Sequence, residues 1–317
     1  MSTTASSPAA APGAPVPPPE DVPPKRDPLL VGLVKLARPK QWSKNVLVFA
    51  APAAAGVLDN RQWAVDAMIA FVCFCLAAAG TYYINDARDV EADRTHPKKC
   101  NRPVASGVVP VPLAYVGGAV LLAASIALSF TVNTNLALAV GGYLVLTTAY
   151  SSVLKQVAVV DLVAVAAGFV LRAVGGAAAA EVPISNWFFI VTSFGALFMI
   201  TGKRAAEAKE MGEGATDFRP VLAIYTPAYT AYLRAVSSGA VLVAYCLWAF
   251  EKAEVATAPI PWYQLSILPF VMAVLRYALV LEQGRGSAPE EIVLGDRPLQ
   301  LIAVAWAIVF TIGVYAR

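Results

Sequence analysis

Asn85, Asp89 and Asp93 recur at every fourth position in the run Tyr82-Tyr83-Ile84-Asn85-Asp86-Ala87-Arg88-Asp89-Val90-Glu91-Ala92-Asp93. At helical pitch this spacing places the three on one face, and Asp86, three residues before Asp89, can join them. Carboxylates stacked so closely repel one another unless a cation lies among them. They are hard oxygen ligands, few in number, with no Cys or His partner at metal-ligand spacing. Such donors suit Mg²⁺, which keeps several waters and is completed by the phosphates of a substrate. A Ca²⁺ loop is disfavoured, because no EF-hand pattern with its central Gly and terminal Glu occurs.

The next residues supply the opposite charge. Arg94, Lys98, Lys99 and Arg102 follow the acids within one loop, an arrangement suited to a polyanion held partly through a metal and partly by direct cationic contacts. His96, the single His of the chain, stands beside Pro97 and reads as a loop histidine.

These residues must be carried by membrane helices. Of 317 residues, 58% are hydrophobic and only 14% charged, and the mean hydropathy is +0.62. Soluble domains carry about 25% charged residues. Four Cys, two of them (Cys73 and Cys75) within an apolar run, rule out a disulfide scaffold. A net charge of +3 over this length gives no strong basic field, so no nucleic-acid partner is expected. The fold class expected is an all-α polytopic membrane protein.

Residues 1–28 hold nine of the 23 Pro and are expected to form a disordered arm with no signal-peptide pattern. Residues 29–317 form the transmembrane domain. Nine spans can be marked: 43–58, 63–84, 111–131, 134–152, 157–180, 186–202, 228–250, 262–281 and 299–316. Trp42, Trp63, Trp187, Trp262 and Tyr263 fall near span ends, where aromatic rings favour the headgroup level. Eighteen of the 24 basic residues lie in residues 1–44 and in segments 85–110, 153–156, 203–227 and 282–298. By the positive-inside rule these face the cytoplasm of a plasma (inner) membrane, with the active-site loops among them.

The pattern Asn85-Asp86-x-x-Asp89-x-x-x-Asp93 followed by Arg102-Pro103-Val104-Ala105-Ser106-Gly107 resembles the first signature of the UbiA superfamily of intramembrane transferases. Arg38-Pro39-Lys40-Gln41-Trp42, and Tyr150, Lys155 and Asp161 around the fourth loop, are similar to its other landmarks. The resemblance covers residues 29–317 and implies a nine-helix bundle. One departure is informative. Prenyl-transferring members usually carry a second Asp-rich motif after the sixth span, whereas this chain reads Gly202-Lys203-Arg204-Ala205-Ala206-Glu207-Ala208-Lys209-Glu210. A basic patch pairs with phosphate directly and needs no metal. With Lys40 and Lys44 near the first span, the chain is most similar to the branch that uses phosphoribosyl diphosphate as donor and a polyprenyl phosphate as acceptor, in cell-wall arabinan synthesis.

The resemblance implies a mechanism. Mg²⁺ on Asn85, Asp86, Asp89 and Asp93 would hold the donor diphosphate, aided by Lys99 and Arg102. Tyr82 in this segment, with Lys40, Lys44, Tyr150 and Lys155, is a further candidate for substrate binding. Lys203 and Arg204 would take the 5-phosphate or the lipid phosphate, and the anionic acceptor would attack without a general base. Asp161 and Arg172 are costly inside the fifth span. Eleven residues of rise separate them by about 16 Å, so they cannot pair on a straight helix. Asp161, near the cytoplasmic end, is expected to order Lys155, Tyr150 or the ribose hydroxyls, and Arg172 to be structural. Phe169, Phe188, Phe194 and Phe198 are candidates for a lipid groove, although packing or contact with bulk lipid is the commoner fate of such residues. Assembly as a homo-oligomer is left open. The rival readings are a polyprenyltransferase acting on an aromatic ring, which lacks its second metal motif here, and a transporter, which would place its ionisable groups near the midplane of repeated halves. A CDP-alcohol phosphotransferase is excluded by the missing Asp-Gly…Ala-Arg…Gly pattern.

Overall fold

The computed structural model describes residues 27–211, 221–284 and 289–316. Nearly all of the Pro-rich arm, and Glu213 and Asp217 of segment 203–227, therefore lie outside the described residues, as do the side chains of Glu210 and Glu290. All regular structure among the described residues is helical.

Helix α1 (Leu29–Ala37) leads into a 3₁₀ segment (Pro39–Phe49) and a short α2 (Ala50–Ala55). Asn60 caps the long α3 (Arg61–Arg88) by accepting from the Gln62 amide at 2.8 Å. A short α4 (Val90–Thr95) continues beyond Asp89. Then follow α5 (Val111–Phe130), α6 (Thr134–Ser152, capped by Asn133), α7 (Val160–Ala179) and α8 (Asn186–Met211). The chain ends with α9 (Val221–Ile224), α10 (Pro227–Val255, capped by Thr226), α11 (Trp262–Leu265), α12 (Ile267–Glu282), α13 (Pro289–Gly295) and α14 (Arg297–Tyr315, capped by Asp296).

Among the described residues seven helical stretches are long and apolar enough to cross a membrane: α3, α5, α7, α8 through Lys209, α10, Trp262–Glu282 and α14. Large apolar side chains such as Val120, Leu138, Val145, Val243, Leu268 and Leu301 stand exposed on the outside of the bundle, as lipid contact requires and water would not favour. The chain is a multi-pass membrane protein.

The expected count of nine spans differs from these seven for two reasons. Helix α6 has the length, but Asn135, Thr147, Thr148 and Ser151 dilute its apolar content. The expected first span, 43–58, is not a continuous α-helix: 3₁₀ geometry runs from Pro39 to Phe49, and the six-residue α2 ends at Gly56 in the left-handed region (φ 67°).

That irregular segment is nevertheless firmly seated. A β-carbon on Gly176 of α7 would lie 1.7 Å from the Val48 carbonyl oxygen, so the two backbones touch only because Gly has no side chain. Val48 joins Phe74, Leu136, Val140 and Tyr143 in the core between α3, α6 and α7. Gly176→Ala should therefore push residues 39–55 outward. A loss of at least about 1–3 kcal/mol is expected, as for other overpacked cores, read as a lowered unfolding midpoint in detergent. An unchanged midpoint would show that this seating contributes nothing.

The ends of the helices converge. Asn85 and Arg88 at the end of α3 bond to Ser151 and Ser152 at the end of α6 (3.1 and 3.4 Å). Tyr150 of α6 meets Arg204 of α8 (2.9 Å), and the Val159 amide before α7 meets Tyr225 (2.7 Å). The loops that carry most of the Lys and Arg thus leave the bundle at one end.

Candidate active site

Helices α3, α6, α7 and α8 enclose a cavity of about 270 Å³ that opens toward this end. Tyr82 and Asn85 from α3 and Tyr150 and Ser151 from α6 stand near its mouth, and Tyr143 and Arg172 lie deeper. Lys44 and Lys203 are also on its wall, with Phe169. Three cations therefore face the space, and no described lining residue is Asp or Glu. Leu146, Val165, Phe169, Met199 and Ile200 make much of the remaining wall apolar.

At the mouth the acids divide into two kinds. Asp86 and Asp93 are buried, and both are held by guanidinium groups. Arg102 Nη1 donates to Asp93 Oδ2 (2.7 Å) and to Asp86 Oδ1 (3.1 Å), while Arg38 Nη2 donates to Asp86 Oδ1 at 2.7 Å. Arg38 also lies 4.4 Å over the Tyr82 ring and occupies a left-handed turn (φ 52°) that joins α1 to the 3₁₀ segment. Asp89, by contrast, is exposed and has no partner among the described residues. It sits at the break between α3 and α4, where its amide still bonds to the Asn85 carbonyl at 2.9 Å. Asn85 donates its amide to Ser151, which leaves its side-chain oxygen available.

No three His, Cys, Asp or Glu gather as a metal site among the described residues. The available donors still suit Mg²⁺, which uses one or two protein oxygens together with water and substrate phosphates. Asn85 and Asp89 offer that pair, one helical turn apart. Of the four residues expected from sequence, Asp86 is paired with two arginines and Asp93 with one, whereas Asn85 and Asp89 make no ion pair among the described residues.

A second buried cluster braces the far wall. Asp161, fully buried, accepts from Arg204 Nε at 3.0 Å and from the Tyr225 hydroxyl. Arg204 spends its other nitrogens on Glu207 (2.7 Å) and Tyr150 (2.9 Å). Burial first, then the Asp161 carboxylate, raises the Tyr225 phenol well above its ordinary pKa, so it remains a donor. Two expectations change here. Arg204 is saturated inside the protein and is not exposed to a phosphate. Asp161 orders Arg204 and Tyr225, not Lys155 or a sugar, and reaches the cavity only through the Arg204–Tyr150 contact.

Other sequence-derived residues are placed more simply. Lys40 is exposed, while Lys99 and Lys155 sit half-buried in 3₁₀ turns, and none of the three lines the cavity. His96 Nδ1 accepts the Lys98 and Lys99 amides (3.1 and 3.3 Å), the work of a loop histidine. Of the four Phe residues assigned to a groove, only Phe169 lines the cavity, and Phe198 packs on Tyr277. Sequence reasoning passed over Tyr143, Thr147 and Ser151, although their four-residue spacing marks one polar face of α6. It also took Arg38 as a landmark and not as the partner of Asp86.

Fold and cavity together define a helical membrane protein with a cavity at one end of its bundle, lined in part by Lys44, Arg172 and Lys203. The pattern of the UbiA prenyltransferase family matches residues 46–291, and the chain belongs to that family. It is 45% identical over 297 residues to a decaprenyl-phosphate phosphoribosyltransferase of Corynebacterium glutamicum, covering 92% of this chain and 89% of the relative. It is 43% identical over 289 residues to the protein of that name from Mycobacterium tuberculosis, covering 90% and 94%. Among solved structures, a UbiA homologue from Archaeoglobus fulgidus bound to GPP and Mg²⁺ superposes with a TM-score of 0.68 at 18% identity, covering 89% of this chain and 99% of that one.

Proposed function

We propose that the protein transfers a 5-phosphoribosyl group from phosphoribosyl diphosphate to a polyprenyl phosphate, decaprenyl phosphate by the names of its relatives. The observation that carries this is the cavity's lining, with Lys44, Arg172 and Lys203 and no described carboxylate, Lys203 standing in the segment 202–210 where prenyl-transferring members usually carry a second acidic motif. A multiply anionic donor meets three cations there, set among apolar residues such as Leu146, Val165 and Phe169.

In the reaction an oxygen of the lipid phosphate forms a bond to ribose C1, and the bond from C1 to the diphosphate oxygen breaks. The electron pair leaves with diphosphate. The acceptor is already an anion near neutral pH, so no group of the protein has to remove a proton. Attack opposite the leaving group inverts C1. Mg²⁺ held by Asn85 and Asp89 would offset charge on the departing diphosphate. Arg102, poised between Asp86 and Asp93, is positioned to shift onto that diphosphate. Lys203, whose Nζ lies 3.7 Å from Glu207, is only weakly held and can turn toward a phosphate.

Nine crossings, with the site on the cytoplasmic side of the plasma membrane, accompany this reading. Its support is the bias of Lys and Arg toward the loops at the cavity's end of the bundle. The test is direct. Membranes containing the protein, given labelled phosphoribosyl diphosphate and decaprenyl phosphate, should form a labelled lipid that disappears on chelation of Mg²⁺. Label that appears only from a prenyl diphosphate with an aromatic acceptor would refute the assignment.

A further inference from the structure

Arg172 is an unusual residue for the interior of a membrane bundle. It is 8% exposed and lies in the middle of α7. Its guanidinium makes three hydrogen bonds, all to neutral groups: Nε to Asn45 Oδ1 (2.6 Å), Nη1 to the Gly168 carbonyl (2.7 Å) and Nη2 to the Tyr143 hydroxyl (3.0 Å). The rings of Tyr143 and Phe169 lie against it at 4.6 and 5.4 Å. No carboxylate pairs with it among the described residues. Asn45 is itself fully buried and fixed by a bond to Cys75 Sγ (3.2 Å).

The surroundings fix the orientation of this cation without neutralising it. An uncompensated charge at this depth is expensive, and such groups normally meet a counter-charge or face a cavity. Arg172 faces one. Five N–H groups on a guanidinium less three bonds leave two to donate. Buried guanidinium donors of fixed direction are the residue of choice for phosphate.

The cavity's length narrows the identity of that phosphate. Along α6, Tyr143 and Ser151 are eight residues apart, which is a rise of about 12 Å. Asn85, which bonds to Ser151, marks the mouth, and Tyr143, which bonds to Arg172, marks the depth. Thr81, Tyr82 and Thr147 lie on the wall between. A furanose with a phosphoryl group at each end spans such a space. Leu146, Val165, Phe169 and Ile200 share that wall, and the donor is favoured by its length, with a phosphoryl group at each end.

Building on the reading above, we infer that Arg172 binds the 5-phosphate of the donor at the deep end of the cavity while the diphosphate stays at the mouth. Arg172 then sets specificity: it selects a sugar diphosphate that carries a second phosphate, and it places C1 near Asn85. Asn45 and Tyr143 are its positioning residues.

The test compares wild-type protein with Arg172→Gln in detergent, with Mg²⁺ and decaprenyl phosphate. For the variant, kcat/KM for phosphoribosyl diphosphate should fall about 100-fold, as the loss of charged hydrogen bonds implies, while KM for decaprenyl phosphate stays within twofold. Ribose 5-phosphate should inhibit the wild type in competition with the donor and raise its unfolding temperature, and it should do neither to the variant. If the variant does not fold, the wild type still decides. A donor lacking the 5-phosphate should be used about 100-fold less well, and equal use overturns the inference. A rise in the lipid's KM with the donor's unchanged would assign Arg172 to the acceptor and also overturn it. Absence of any ribosyl transfer by the wild type, with ribose 5-phosphate still raising its unfolding temperature, would defeat the proposed reaction and leave the phosphate site standing.

Discussion

Asp89→Ala should lower turnover by about 10²–10³-fold, the range seen when one preorganised electrostatic group is removed, and should leave the unfolding temperature in detergent unchanged. The separation of the two effects is the point. Asp89 is exposed and pairs with no described side chain, so alanine removes no buried contact there. Its backbone bond to Asn85 does not depend on the side chain. A surface substitution of this kind usually changes stability by less than about 0.5 kcal/mol. Asp93→Ala and Asp86→Ala should behave differently, because each strips a buried partner from Arg102 or Arg38. Those two variants should lose stability along with activity. Steady-state rates at several Mg²⁺ concentrations, set beside thermal unfolding of the same preparations, give the comparison. Full activity of Asp89→Ala at ordinary Mg²⁺ would remove the ion from the proposed site.

The difference between Asp89 and its neighbours shows what the sequence can and cannot convey. Spacing alone put Asn85, Asp89 and Asp93 on one helical face, because helical pitch is a local property. Which acid stays available is a tertiary matter, decided by Arg102, 9 residues from Asp93, and by Arg38, 48 from Asp86. The Arg172–Asn45 bond joins residues 127 apart, and the Asp161–Arg204 pair residues 43 apart. No periodicity reports such pairings. The irregular winding of 43–58 escaped notice for another reason. Hydropathy registers that the segment is apolar, and it is, but not that it is wound as a 3₁₀ helix against Gly176 of α7. For α6 the opposite happened. Its polar stripe of Tyr143, Thr147 and Ser151 was present in the sequence, yet the apolar count that marked 134–152 as a span hid the face that lines the cavity. The donor and acceptor classes were expected from the resemblance carried by residues 85–107 and the basic run at 202–210, and the names of the relatives agree with them.

The largest structural loss should come from Asp161→Ala. Removing one member of a buried, hydrogen-bonded ion pair costs about 3–5 kcal/mol, since the remaining charge is stranded. Here Arg204, 3% exposed in its side chain, would keep only Glu207 and Tyr150. Tyr225 would lose its acceptor while still receiving the Val159 amide, and Val159 holds a positive φ of 68°, a backbone state unfavourable for a β-branched residue. Because Tyr225 is kept protonated, raising the pH across an ordinary assay range should not reproduce this loss. A paired substitution separates packing from positioning. Asp161→Leu combined with Arg204→Met replaces the ion pair by apolar groups, which is commonly neutral or stabilising. That double variant should recover much of the unfolding temperature, with about 1–3 kcal/mol withheld by the unmet Tyr225 hydroxyl. It should not recover kcat, because Tyr150 on the cavity wall would still lack the guanidinium that orients it. Unfolding in detergent and single-turnover rates on the two variants measure both quantities. Wild-type turnover in the double variant would show that this cluster braces the helices and does nothing for the site.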